Sequence, residues 1–77
     1  MKKVTIYSTK TCAYCKMAKQ YFAQNNIAYD EKDVTFDGAA AQEMIDKSGQ
    51  MGVPVILVDD QVVVGFDKPR LQELLTA

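Results

Sequence analysis

Apolar and polar positions along this chain switch repeatedly between a period of about two residues and a period of about 3.6. Lys3 to Tyr7 is β-branched and aromatic and stops at the polar cluster Ser8 to Thr11, which predicts a strand. From Cys12 onward Cys15, Ala18, Tyr21 and Phe22 recur at helical spacing, while Lys16, Lys19, Gln20 and Gln24 take the opposite face. Thr11 is the expected N-cap of this helix and Asn25-Asn26 its stop. Ile27 to Val34, with Ile, Tyr and Val separated by acids, predicts a second strand. Asp37 can cap a second helix with Ala40, Ala41, Met44 and Ile45 as its apolar stripe, ending at Ser48 before Gly49. Val53 to Val58 and Gln61 to Val64 then read as two strands joined by the two-residue turn Asp59-Asp60. Asp67 can cap a last helix that turns Leu71, Leu74 and Leu75 inward and tolerates Pro69 in its first turn.

The resulting order is β-α-β-α-β-β-α. A strand-helix-strand unit of this length makes its two strands parallel through a right-handed crossover, and the closing hairpin adds an antiparallel half. An α/β fold follows, with a four-stranded mixed sheet flanked by three helices. Seventy-seven residues without a repeat, linker or low-complexity stretch predict one domain over 1–77.

Composition removes several classes of function. A formal net charge of -1 with no basic stripe predicts no nucleic-acid partner. The longest apolar run, Val53 to Val58, is far too short to cross a bilayer, and a strand-like pattern begins right after Lys2-Lys3. Neither a membrane span nor a signal peptide is expected, and we expect a cytoplasmic monomer. In a reducing compartment a lone C-x-x-C is catalytic or metal-binding more often than structural. A bridge closing so short a loop would also stabilise little, because the effect grows with the length closed.

The two cysteines, in Cys12-Ala13-Tyr14-Cys15, sit where the first strand's loop meets the first helix, and this placement points to thiol-disulfide chemistry. The attacking species is a thiolate, while an unperturbed thiol has a pKa of about 8.5. Helix N-terminal N–H groups and aligned peptide dipoles hold such a charge, and Lys10 is close enough in sequence to add to it. Cys12, with its sulfur outward, is therefore the expected nucleophile, and Cys15, one turn deeper, the expected resolving thiol. With no histidine in the chain, the proton of Cys15 must pass to water, a carboxylate or the leaving thiolate. Tetrahedral zinc wants four ligands, and two cysteines without histidine do not supply them in a monomer.

The element order, with C-x-x-C opening the first helix and Val-Pro opening the third strand, resembles the glutaredoxin family, the minimal form of the thioredoxin fold. The resemblance rests on Tyr7 to Cys15, Gly52-Val53-Pro54 and Val64-Gly65-Phe66-Asp67, in that order, and covers nearly the whole chain. It is nearest to the small glutaredoxin-like redoxins, among them the hydrogen donors of ribonucleotide reductase, which share the Gly-Phe pair.

The resemblance implies a cis Val53-Pro54 bond opposite the cysteines, leaving the Val53 backbone to pair with an extended substrate; read on its own, Pro54 also suits the start of an edge strand. Tyr14 is then a surface for the incoming thiol or peptide, or an aromatic packed over the helix start. Lys10 would reach a glutathione carboxylate, although Thr9 stands where glutaredoxins often carry their lysine. Gly65, Phe66 and Asp67 form the last contact segment, with Asp67 either accepting the glutathione amine or simply capping the helix. Glutathione-using members have Gly-Gly there, whereas this chain has Val64 for the first Gly and Lys68 for the second Asp. Phe66 suits a protein partner better than a charged tripeptide.

The implied activity is reduction of protein or glutathione mixed disulfides, with no bound cofactor and recharging by glutathione or a thioredoxin-reductase-type enzyme. Ribonucleotide reductase is one implied substrate. The alternatives are an iron-sulfur carrier that bridges two chains through Cys12, with a [2Fe-2S] cluster held by four thiolates, and an inactive binding module that uses the same groove.

Overall fold

The computed structural model describes residues 3–76. The elements are β1 (Val4–Ser8), α1 (Ala13–Gln24), β2 (Asp30–Asp33), α2 (Gly38–Ser48), β3 (Val55–Val58), β4 (Gln61–Val64) and α3 (Lys68–Thr76). The strands lie in the order β2-β1-β3-β4, with β1 and β2 parallel and the other two pairings antiparallel. This is the expected four-stranded mixed sheet with three helices.

Side-chain alternation along β1 assigns the two layers. Val4 and Ile6 join Ala18, Phe22, Ile56 and Leu71 in the larger core between the sheet and α1 and α3. Tyr7 turns the other way, where it meets Met44 of α2 and Val55. In α2, Ala40 and Met44 are buried, while Ala41 and Ile45 are half-buried at the flanks of the stripe.

Three strand boundaries differ from the sequence expectation, the first two through a backbone hydrogen bond. β1 runs to Ser8 instead of Tyr7, because the Ser8 carbonyl accepts from Val34 N–H at 2.8 Å and prolongs the pairing with β2. β2 is only the charged run Asp30–Asp33, not Ile27 to Val34. The Ile27 N–H is committed to Phe22 O at 2.8 Å, closing α1 after Asn26 turns left-handed at φ 56°, so the ladder starts later. Ile27 and Tyr29 pack on the larger core from outside the strand. A wholly charged edge strand also resists pairing with another chain. β3 begins at Val55, after a cis Val53-Pro54 bond and a Pro54 with no N–H to give.

The other caps fall where the sequence places them. Asp37 Oδ1 accepts from Ala40 N–H at 3.0 Å, Gly49 ends α2 at φ 76°, and Asp67 Oδ1 accepts from Arg70 N–H at 3.2 Å. The hairpin turns at Asp59-Asp60, with Asp59 at φ 53° and its carboxylate accepting from Lys3 N–H. The N-cap of α1 is the one cap that moves, and it does so at the cysteines.

Candidate functional site

The carboxyl end of β1 delivers the chain into the loop Thr9-Lys10-Thr11, and Cys12, not Thr11, caps α1. Cys12 has extended backbone angles, and its Sγ accepts from the Cys15 N–H at 3.1 Å. A sulfur therefore stands where a serine or aspartate oxygen usually satisfies a free N–H of the first turn. Cys12 is half-exposed, whereas Cys15 is fully buried. Burial pushes the Cys15 thiol up to about 12, a hydrogen bond to Cys12 adds to that, and contacts with the Thr9 backbone and the Lys19 charge oppose it. Both thiols are free.

Beside the dithiol segment lies an open groove of about 540 Å³. Tyr14, Val53, Pro54, Gly65, Phe66 and Asp67 all line it, so six of the seven residues named as candidate contacts come together. Val64, Lys68 and Pro69 complete it. Tyr14 is 63% exposed and is not part of the core. Phe66 is half-buried and held edge-on to Tyr21, with centroids 6.1 Å apart, and Tyr21 is itself edge-on to Phe22. Lys68 Nζ lies 5.9 Å from the Tyr21 ring. Gly65, at φ 79°, donates its N–H to Pro54 O at 2.8 Å, tying the last segment of the groove to the Val-Pro segment.

Lys10 is the candidate that the fold draws elsewhere. Its N–H donates to Thr35 Oγ1 at 3.3 Å, and its Nζ lies 5.9 Å from the ring centroid of Phe36, in the loop before α2. Phe36 is the most exposed large apolar side chain among the described residues, at 89%. Sequence reasoning passed over it, because a lone aromatic between polar residues carries no periodic signal.

A second arrangement also escaped the sequence. Ser8, buried at the end of β1, donates its hydroxyl to Glu31 Oε2 at 2.7 Å, and Lys19 Nζ reaches the same oxygen at 2.7 Å. The Lys19 ion pair and then the Ser8 hydrogen bond hold the Glu31 carboxyl below its ordinary range. These residues are 23 and 12 positions apart in sequence and meet through the parallel pairing of β1 with β2 and the packing of α1 on β1.

A hollow of about 560 Å³ on the other face of the sheet, over Tyr7 and the Lys32–Glu43 ion pair, contains neither thiol. Among the described residues no group of three or more His, Cys, Asp or Glu side chains is placed to hold a metal ion. No described helix is long and apolar enough to cross a membrane.

Comparison with known proteins places this geometry. The glutaredoxin family model matches residues 4–63, from β1 into β4. The chain belongs to the glutaredoxin family. Among glutaredoxin relatives it is 40% identical over 72 residues to a glutaredoxin-like 8.6 kDa protein of the rubredoxin operon of Clostridium pasteurianum, covering 94% of this chain and 96% of that one. It is 34% identical over 71 residues to the glutaredoxin-like protein NrdH of Lactococcus lactis, covering 92% and 97%. Among solved structures, a single-site mutant of the thioredoxin-like protein BC3987 superimposes with a TM-score of 0.91 at 36% identity, covering 99% of this chain and 97% of that one. This glutaredoxin-family member is thus a two-cysteine redox protein with a thioredoxin-like fold, similar both to glutaredoxins and to NrdH.

Proposed function

We propose that the protein is a thiol-disulfide oxidoreductase in which Cys12 attacks and Cys15 resolves. The observation that carries this reading is the asymmetry of the pair: Cys12 half-exposed with its sulfur on a helix N-terminal N–H, Cys15 buried behind it. Cys12 thiolate attacks one sulfur of a substrate disulfide, forming a mixed disulfide and releasing the first thiol. Cys15 then loses its proton and attacks Cys12 Sγ. The Cys12–Cys15 bond forms, the bond from Cys12 to substrate breaks, and the second thiolate leaves and is protonated. The substrate gains two electrons and the enzyme dithiol loses two.

The groove supplies the docking surface. Val53 makes no backbone hydrogen bond with another described residue, so its N–H and C=O are open to an extended substrate strand. Phe66, Tyr14 and Val64 present apolar surface to that strand, and Val64 stands where a glycine would let a small tripeptide lie close. These features favour a disulfide-bearing protein over glutathione mixed disulfides. Ribonucleotide reductase fits as substrate class, in keeping with the likeness to NrdH. Asp67 serves first as the cap of α3. The cycle needs a reducing compartment, so we place the protein in the cytoplasm, recharged by glutathione or by a thioredoxin-reductase-type flavoenzyme.

The deciding experiment supplies oxidised protein with NADPH and either glutathione plus glutathione reductase or thioredoxin reductase alone, and follows NADPH consumption. Reduction of the Cys12–Cys15 disulfide by one couple is expected, and failure of both rejects the reading. Visible-light absorption after anaerobic purification with glutathione would instead mark a cluster carrier.

A further inference from the structure

The buried Cys15 thiol must surrender its proton during turnover, and no histidine is present to take it. The residues around Cys15 follow from the fold. Ala18 and Phe22 of α1 pack on Val4 and Ile6 of β1. Cys15 precedes Ala18 by three positions and Phe22 by seven on the same helical stripe, and Ser8 follows Ile6 by two on the same face of the strand. Cys15 and Ser8 therefore occupy the next layer of that interface toward the active-site loop. Lys19 is four residues after Cys15, one turn along α1. Glu31 is the register partner of Ile6 on β2 and faces the same side, where it takes both Lys19 Nζ and Ser8 Oγ.

We propose that Lys19, held by Glu31 that Ser8 in turn fixes, is a positioning residue for the resolving step: its fixed ammonium stabilises the negative charge that forms on Cys15 Sγ as the proton leaves. The inference rests on the oxidoreductase reading and assigns it a further residue. The balance is that given above, with one proton lost from Cys15 and one taken up by the departing thiolate, and Lys19 stays protonated throughout. The groups that act on the thiol are Cys12 and Lys19 from α1 and the Thr9 backbone from the loop; Glu31 from β2 and Tyr29 act on Lys19, and Ser8 from β1 holds Glu31. α3 enters the same interface through Leu71, which is apolar. Glu31 Oε2 takes both Lys19 Nζ and Ser8 Oγ, which holds the ammonium one helical turn from Cys15. An ion pair on an otherwise polar edge has a purely structural explanation as well, and the experiment must separate the two.

Reduced protein is mixed with 5,5′-dithiobis(2-nitrobenzoate) in a stopped-flow instrument. Attack by Cys12 releases the first chromophoric thiolate, and resolution by Cys15 releases the second. In Lys19→Met the second phase is expected to slow by about threefold to tenfold at pH 7 and its pH profile to move upward, since one pKa unit is a factor of ten in thiolate. The first phase should stay within about twofold, given the distance of Lys19 from Cys12 along the helix. Lys19→Arg, which keeps the charge, should restore the second phase. A second phase and pH profile in Lys19→Met equal to wild type overturn the inference while leaving the oxidoreductase reading intact. Equal slowing of both phases also overturns it, because that is the signature of a disturbed fold. Release of only one equivalent by the wild-type protein overturns both.

Discussion

The backbone N–H of Cys15 donates to the sulfur of Cys12 at 3.1 Å, so the helix that buries one thiol is capped by the other. The capping bond is an electrostatic one, strengthened as the acceptor sulfur becomes anionic. In the proposed cycle it couples the start of α1 to the chemistry, because forming a Cys12–Cys15 bond would take up the sulfur that holds the first turn.

Replacing each sulfur by oxygen should separate the two roles. Cys12→Ser keeps a capping acceptor, so thermal unfolding is expected to stay within a few degrees of wild type while disulfide reduction falls to background. Cys15→Ser should leave the first attack intact and accumulate the mixed disulfide on Cys12. Intact-mass spectrometry after addition of a disulfide substrate checks both, and a mixed disulfide on Cys15 in the Cys12→Ser protein would reverse the assigned roles.

Alkali should destabilise the reduced protein in a way that depends on Cys15. Burial raises this thiol from the ordinary thiol range to about 12, so the folded state holds its proton more tightly than the unfolded chain. The stabilisation is complete below pH 9 and is lost as the pH climbs from there toward 12, at up to about 1.4 kcal/mol per pH unit for this one group. Tyr7, also raised by burial and then by Glu43, adds to the loss above pH 10. Urea unfolding of reduced wild type and reduced Cys15→Ala across this range should diverge, and parallel curves would contradict the burial argument.

Phe66 should govern which substrates are accepted. Its ring is fixed by Tyr21 and borders the groove, so Phe66→Ala removes apolar contact from an extended polypeptide. KM for a protein disulfide is expected to rise about tenfold, equivalent to ~1.4 kcal/mol, with little change in kcat. KM for a glutathione mixed disulfide should move less, and the ratio of kcat/KM values for the two substrates is the measurement. Val64→Gly should shift the same ratio toward glutathione.

Phe22 should be the costliest truncation in the larger core. It is fully buried, 5.9 Å from Tyr21 and 5.2 Å from Tyr29 between ring centroids, and bridges α1 to the segment before β2. Phe22→Ala is expected to lower unfolding stability by ~3–5 kcal/mol through lost contact and a residual cavity. Denaturant titration should show a reduced midpoint with the slope unchanged.

Local chemistry was enough to predict most of this protein. The switch in period at Cys12, the caps at Asp37 and Asp67, Gly49 after α2 and the Asp59-Asp60 turn each depend on side chains and backbone within a few residues, and the sheet layout follows from their order by handedness. The family motifs likewise identify six groove residues that the structure gathers into one place. The extent of β2 was not predictable in this way, because whether Ile27 N–H pairs with a strand or with Phe22 O depends on how α1 ends against the sheet. Nor was the cap: Thr11 is the expected residue type, and only the path of the loop from β1 brings the Cys12 side chain instead to the Cys15 N–H.

The Ser8–Glu31–Lys19 cluster and the turning of Lys10 toward Phe36 are matters of tertiary structure alone. Both join residues from different elements, and spacing along the chain says nothing about side chains that meet across a parallel strand pair. Sequence could therefore assign the two sulfurs as a redox pair and expect Cys12 outward with Cys15 one turn deeper. Their unequal environments, one thiol on a helix end in reach of solvent and the other sealed beneath it, arise from the packing of α1 on β1.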